Sequence, residues 1–303
     1  MDIPPSEVGG AVGNRSRAKK SIVTKSSLTG CVIPYFIPPM ESLSEEHAAF
    51  AREQLASGCD RMEEALARLL DSKGRVAEDV HTIRKLGKTL RGGFTLFRLG
   101  KSSALEIQAI SRLLSGPRDA VSRLKTWKRL AWKGDAPVAA AIAGLLDQQT
   151  HSAARRPPPE TVAWCTARIT AARKNLVELP AGNLQERLAL GLAKLTKQVA
   201  KRCRKLDDCG EHEFHDARKA LKAYLGALGF FPTEAIVLDP KMIELAELLG
   251  DENDLTTLAN WLEEHGFTTA FVPGLWQRLA DSRRKLRKKA LRDATHVMSM
   301  VNG

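Results

Sequence analysis

The sequence predicts an all-α protein, and three observations lead to this prediction. Ala, Leu, Arg and Glu, which favour helices, dominate from about residue 42 onward. Val, Ile, Thr and Tyr do not cluster into the alternating, turn-bounded runs that strands require. With 303 residues, of which 43% are hydrophobic, the chain is long enough to bury a sizeable core without disulfide support.

Residues 1–42 are predicted to form a flexible basic tail. Its only apolar stretch, VIPYFIPPM, is broken by prolines, so it does not have the uninterrupted apolar run of a secretory signal. A basic, serine-containing leader leaves an organellar transit peptide as an alternative. No run of about 18 apolar residues occurs anywhere in the chain, which argues against a membrane-spanning helix. Five cysteines, odd in number and scattered, favour a reducing cytoplasm.

The first helix is expected to begin at Ser42 or Ser44, because Glu45 and Glu46 follow as in a capped N-terminus, and to run to Leu70. Further helical patterns occupy roughly residues 78–99, 103–115, 118–132, 136–150, 160–179, 183–206, 211–229, 240–249, 253–265 and 269–295. Three prolines at 157–159 cannot continue a helix, so we divide the chain there into halves 43–156 and 157–303.

The two halves are related in sequence. HTIRKLGK, beginning at His81, reappears as HDARKALK, beginning at His215, which is a separation of 134 residues. The segment LSGPRD, beginning at Leu114, aligns with LGDEND, beginning at Leu249, at nearly the same offset. We infer an internal duplication of a helical unit, in which each copy contributes an equivalent basic helix.

Both basic helices are amphipathic with a purely cationic outer face. Successive residues of a helix are about 100° apart around its axis. On this basis the basic side chains of the first copy fall within an arc of about 120°, and its apolar side chains lie on the opposite side of the helix. Brought together by a pseudo-two-fold axis, the two helices would line one central basic cavity. The predicted binding residues are His81, Arg84, Lys85, Lys88 and Arg91 in the first copy and His215, Arg218, Lys219 and Lys222 in the second.

Two further basic segments are expected to add to this cavity. Lys194, Lys197, Lys201 and Lys205 form a single stripe on one predicted helix. The stretch from Arg283 to Arg292 contains seven basic residues and no acid. Lys and Arg number 47 against 35 Asp and Glu, a net charge of +12, so an anionic partner is expected to neutralise these faces. The alternative for any single run is a solvated helix surface.

The residue types favour inorganic polyphosphate as the anion. Nucleic-acid modules interleave aromatic side chains that stack on bases, whereas these stripes contain none, and Phe94, Phe97 and Tyr224 are predicted to be buried. A phosphate polymer requires only ammonium and guanidinium groups. Binding of DNA or RNA stays open as the alternative.

These motifs resemble those of the conserved histidine α-helical domain, CHAD, over about residues 43–295. The resemblance rests on H-x-x-R-K-x-x-K-x-x-R, on the Arg-Asp pair after Leu-Ser-Gly-Pro, and on Leu-Gly-Asp-x-x-Asp-Leu. It implies two pseudo-symmetric bundles around a basic cavity that binds inorganic polyphosphate, and association with polyphosphate granules in bacteria. The resemblance adds Arg118 to the binding residues named above. Leu225 stands where Arg91 would repeat, so the second copy is expected to bind less strongly.

The sequence predicts no enzymatic activity and no cofactor, and leaves the oligomeric state open. Some CHAD proteins carry a triphosphate-processing domain of the CYTH type, which residues 1–42 are too few to contain. Cys209, His212 and His215 have a spacing that could seat a divalent metal, although no fourth ligand is evident. This leaves a metal-dependent phosphohydrolase as the least favoured alternative. If His81 and His215 bind phosphate when protonated, affinity should rise from pH 8 to pH 6.

Overall fold

The computed structural model describes residues 43–71, 75–153, 156–208, 210–236 and 238–302. Within these ranges the secondary structure consists of helices and turns without any strand, which confirms the all-α prediction. The predicted tail, residues 1–42, lies outside them. The α-helices within them are α1 (Glu45–Arg68), α2 (Val76–Leu96), α3 (Gly100–Leu113), α4 (Ser115–Leu130), α5 (Ala136–Ala153), α6 (Pro159–Val177), α7 (Leu184–Arg204), α8 (Glu211–Leu228), α9 (Pro240–Glu264) and α10 (Pro273–Asn302). No described helix combines the length and the apolar character that crossing a bilayer requires.

The start of α1 is fixed by a capping box. The Ser44 hydroxyl accepts a hydrogen bond from the His47 backbone N–H at 3.2 Å, and the Ser44 N–H donates to Nδ1 of His47 at 3.2 Å. Both bonds satisfy donors that a helix end otherwise leaves without a partner. The expected cap is therefore confirmed at Ser44, with a histidine in the position that Glu usually takes; Ser42 lies outside the described residues.

Helix α9 corrects one sequence prediction. Two helices are predicted from the sequence, over residues 240–249 and 253–265, whereas α9 continues from Pro240 to Glu264 without interruption. Leu249, Glu252 and Leu255 are all buried within this stretch. Because continuous burial across the segment stabilises the helix, the cost of one interior glycine, about 1 kcal/mol, is readily offset.

Two apolar clusters form the core of the part of the chain that the structure describes. The larger contains residues of α1, α2, α3, α6, α7 and α8, and therefore draws on both sides of the three prolines. The smaller is built by α4, α5, α9 and α10, with Trp127, Ile142 and Leu258 among its members. Helices α9 and α10 contribute to both clusters. The segment around residue 157 joins α5, which belongs to the smaller cluster, to α6, which belongs to the larger one. The division of the chain into two halves stays a prediction.

A buried ion-pair layer lies where α9 passes from one cluster to the other. The Glu252 side chain is 3% exposed and accepts from Arg283 Nη2 at 3.1 Å and from Arg287 Nη2 at 2.6 Å. Arg283 also pairs with Glu211. Two arginines of the basic C-terminal run therefore have carboxylate partners inside the protein, and we assign them a structural role.

Helices α2 and α8 cross in close contact. A Cβ atom on Gly92 would lie 2.4 Å from the carbonyl oxygen of Ala223, and one on Gly226 would lie 3.1 Å from Cα of Thr89. The offset of 134 residues that separates the basic motifs also relates Gly92 to Gly226 and Thr89 to Ala223. Reciprocal contacts of this kind are what a two-fold axis produces. The internal duplication stays a prediction, and this crossing supports it.

Candidate anion-binding cleft

A cleft of about 450 Å³ opens between α2, α7 and α8, with Ala104 of α3 at its edge. Of the described residues that line it, seven are Lys or Arg and one is acidic. The seven cations are Lys88, Arg91, Lys201, Arg202, Arg218, Lys219 and Lys222. Such an excess of one charge in a concave surface focuses the electrostatic field and attracts anions.

Amphipathicity explains why these cations face the cleft. On α2, Ile83, Leu90 and Phe94 are fully buried in the larger cluster, which directs Lys88 and Arg91 to the opposite side. On α8 the buried Leu221 and Tyr224 have the same effect on the basic face. The predicted buried positions of Phe94, Phe97 and Tyr224 are confirmed. The structure thus brings together six of the predicted residues, namely Lys88, Arg91, Lys201, Arg218, Lys219 and Lys222.

Arg91 occupies an electrostatically unfavourable position in this cleft. Burial lowers the pKa of its guanidinium below the ordinary value, and the positive charge of nearby Arg112 lowers it further. Both effects mean that the surroundings disfavour the charged form. An anion in the cleft would relieve them.

Asp216 is the single acidic residue among the described lining residues, and Arg202, His212 and Lys219 surround its carboxylate. Its Oδ2 lies 2.9 Å from Nη1 of Arg202 and 3.5 Å from Nε2 of His212, and its Oδ1 lies 3.6 Å from Nζ of Lys219. Asp216 therefore holds Arg202 and Lys219 at the cleft wall and neutralises only part of the positive charge.

Several predicted residues lie away from the cleft. Arg84 is turned toward α3 and α4, where it donates to the Ser111 carbonyl and to Asp119, each at 3.2 Å. Nδ1 of His215 is 2.8 Å from Oδ1 of Asn253 on α9. His81 and Lys85 are exposed on α2 without lining the cleft.

The remaining predicted residues are also absent from the described lining of the cleft. Lys205 is exposed beyond the end of α7, in a 3-10 turn, so the expected helical spacing does not extend to it. Lys194 and Lys197 line an adjoining groove. Arg118 falls within α4, and its side chain is outside the described part of the structure.

Sequence reasoning missed Arg202 and Gln198 as lining residues, and Arg98 in the adjoining groove. Gln198 and Arg202 follow Lys194 on α7 by four and eight residues. A stripe of basic residues drawn only at spacings of three and seven residues omits both of them. No group of three or more metal-binding side chains is found among the described residues, and Cys209 of the proposed metal motif lies outside them.

The family model of the CHAD domain matches residues 53–263, which is more than half of the chain. The chain belongs to the CHAD family. The CHAD domain described here is similar to the crystal structure of the CHAD domain from the plant Ricinus communis. The two are 18% identical with a TM-score of 0.57, over 85% of this chain and 92% of that chain. This likeness concerns the fold.

A second solved structure, PptA from Streptomyces chartreusis, is 12% identical with a TM-score of 0.49, over 84% of this chain and 98% of that chain. No curated protein matches the sequence.

Proposed function

We propose that this CHAD domain is a non-catalytic binding module for a linear polyanion and that inorganic polyphosphate is its ligand. The observation that carries the proposal is the convergence on one cleft of seven cations from α2, α7 and α8, with a single carboxylate among the lining residues that the structure describes. Gathering like charges in a partly enclosed space costs free energy, and a bound polyanion removes that cost.

Polyphosphate fits the lining better than a nucleic acid does. None of the described residues that line the cleft is aromatic, and its one side-chain amide is Gln198. Single-stranded nucleic acids are commonly bound by stacking of bases on aromatic rings. Ammonium and guanidinium groups, in contrast, recognise phosphate oxygens without any need for a base.

The single carboxylate supports a binding role. Asp216 already lies within 4 Å of Arg202 and Lys219, so its oxygens are engaged with these cations and are not poised to activate water. The proposal therefore predicts that polyphosphate leaves the cleft unchanged. A cytoplasmic location with association to polyphosphate granules is part of the same proposal.

The deciding experiment is a parallel titration of the protein with long-chain polyphosphate and with single-stranded DNA at matched salt and phosphate concentration. We expect tighter binding of polyphosphate, with the logarithm of the affinity falling linearly with the logarithm of salt. Equal or better affinity for DNA would favour a nucleic-acid binder. Release of phosphate dependent on a divalent ion and on His215 would favour a hydrolase.

A pair of charge-reversal variants locates the site. Lys201→Glu with Lys219→Glu changes two exposed lysines of the cleft, and we expect polyphosphate binding to be lost. Lys128→Glu with Lys133→Glu makes the same change of net charge at exposed positions outside the cleft. This control variant should bind nearly as well as the parent protein. Equal loss in both variants would reject the cleft as the site.

A further inference from the structure

The cleft continues into a second concave surface along α7. This groove has a volume of about 420 Å³ and shares Gln198 and Lys201 with the cleft. The charged residues among its described lining are all cations, namely Arg98, Lys194, Lys197 and Lys201. A polymer bound in the cleft therefore meets further positive charge, without an intervening acid among the described lining residues, as it passes Lys201.

Arg98 reaches this groove from a strained backbone position. It follows α2 with a φ of 52°, in the left-handed region. The Arg98 N–H donates to the Thr95 carbonyl at 3.2 Å, and the Leu99 N–H donates to the Phe94 carbonyl at 3.1 Å. This pair of bonds is the Schellman motif, whose left-handed position is usually glycine because a Cβ atom is disfavoured there.

The choice of arginine at this position points to a role for its side chain. Glycine would adopt this left-handed backbone conformation with less strain, whereas arginine places an exposed guanidinium at the groove. Strained residues of this kind cluster at ligand-binding sites, where the side chain is needed in one place. Lys194 and Lys197 are exposed on the facing surface of α7.

We infer that Arg98, Lys194 and Lys197 form a second phosphate subsite continuous with the cleft, and that the domain thereby selects long linear polyphosphates over short ones. The inference rests on the proposed function. From Lys194 to Lys201 the helix rises about 10 Å, so the subsite adds substantially to the length of ligand that can be bound. A short phosphate chain fills the cleft alone, and only a long chain reaches both.

The test compares tripolyphosphate with long-chain polyphosphate, with tripolyphosphate measured by competition. The parent protein should prefer the long chain. We expect Arg98→Gly to lower the affinity for long-chain polyphosphate about tenfold, as loss of one charged hydrogen bond predicts. The slope of log affinity against log salt should fall by about one in Arg98→Gly and by about two in Lys194→Ala with Lys197→Ala. The affinity for tripolyphosphate should be unchanged in both variants.

Two control variants separate the charge of Arg98 from its backbone conformation. Ala131, which follows α4, also has a left-handed φ, of 47°, and lies outside the groove. Ala131→Gly should therefore keep full affinity, while both glycine variants should unfold at or above the midpoint of the parent protein. Arg98→Lys keeps the charge and should retain most of the affinity for the long chain.

The outcomes distinguish this inference from the proposed function. Parent-like binding of long-chain polyphosphate by Arg98→Gly and by the double lysine variant, with binding still lost in Lys201→Glu with Lys219→Glu, would overturn the second subsite alone. Equal affinity of the parent protein for both phosphates would overturn the length selectivity. Failure of the parent protein to bind either phosphate would overturn the proposed function as well.

Discussion

Replacing Gly92 by alanine tests whether the contact between α2 and α8 is as close as described. The added Cβ atom would lie 2.4 Å from the Ala223 carbonyl oxygen and 2.8 Å from the Ala227 nitrogen, whereas ordinary contacts begin at 3.4 Å. Both neighbours are helix backbone, so the two helices must separate by about 1 Å. Overpacking of this kind costs about 1–3 kcal/mol in the free energy of unfolding.

Gly144→Ala provides the matched control. Gly144 lies on α5 with nothing within 4 Å of an added Cβ atom, so this variant should gain about 1 kcal/mol from helix propensity alone. Since both variants gain the same propensity, the difference between their unfolding free energies in urea isolates the steric cost. Gly226→Ala, whose nearest atom would be 3.1 Å away, should fall between them. Equal stabilities of the Gly92 and Gly144 variants would refute the close crossing.

Three further predictions concern burial and the two predicted histidines. Glu252→Gln should lower the free energy of unfolding by about 3 kcal/mol, since it removes the buried negative charge that Arg283 and Arg287 share. A loss below about 1 kcal/mol in urea would contradict the ion-pair layer. Burial raises the pKa of the Cys59 thiol to about 12 and the pKa values of Cys165 and Cys203 to about 11. At pH 8 these thiols should therefore react slowly with maleimide, and peptide mapping should find little labelling of them in the native protein. Labelling of these cysteines in the native protein as fast as in urea would contradict this prediction. Since neither His81 nor His215 lines the cleft, His81→Ala with His215→Ala should keep the affinity for long-chain polyphosphate within about twofold of the parent value. A tenfold loss in this variant would show that these histidines contribute to binding.

Helical periodicity was sufficient to predict the fold class and much of the cleft. The alternation of apolar and basic residues in α2 and α8 fixes which side of each helix enters the core, so Lys88, Arg91 and Lys222 were found from spacing alone. A helix's own sequence gives the angle of a side chain about the helix axis. It therefore predicts the face on which a residue lies.

Periodicity did not predict the residues whose position depends on neighbouring helices. Arg84 lies on the predicted face of α2, yet it binds Asp119 of α4, which sequence spacing within α2 cannot indicate. Lys205 is predicted to line the cleft but does not, for a local reason, because α7 changes to a 3-10 turn at that residue. The left-handed conformation of Arg98 was equally hidden, since glycine is the usual indicator of such a position.

The passage of α9 and α10 through both apolar clusters has a practical consequence for protein production. The family match ends at residue 263, before α10 begins, yet Leu275 and Leu279 of α10 are buried in the smaller cluster and Ala290 and Val297 in the larger one. A recombinant fragment cut at the border of that match would expose apolar surface on both clusters at once. Expression boundaries for this domain should therefore follow the buried helices and retain the chain to the end of α10.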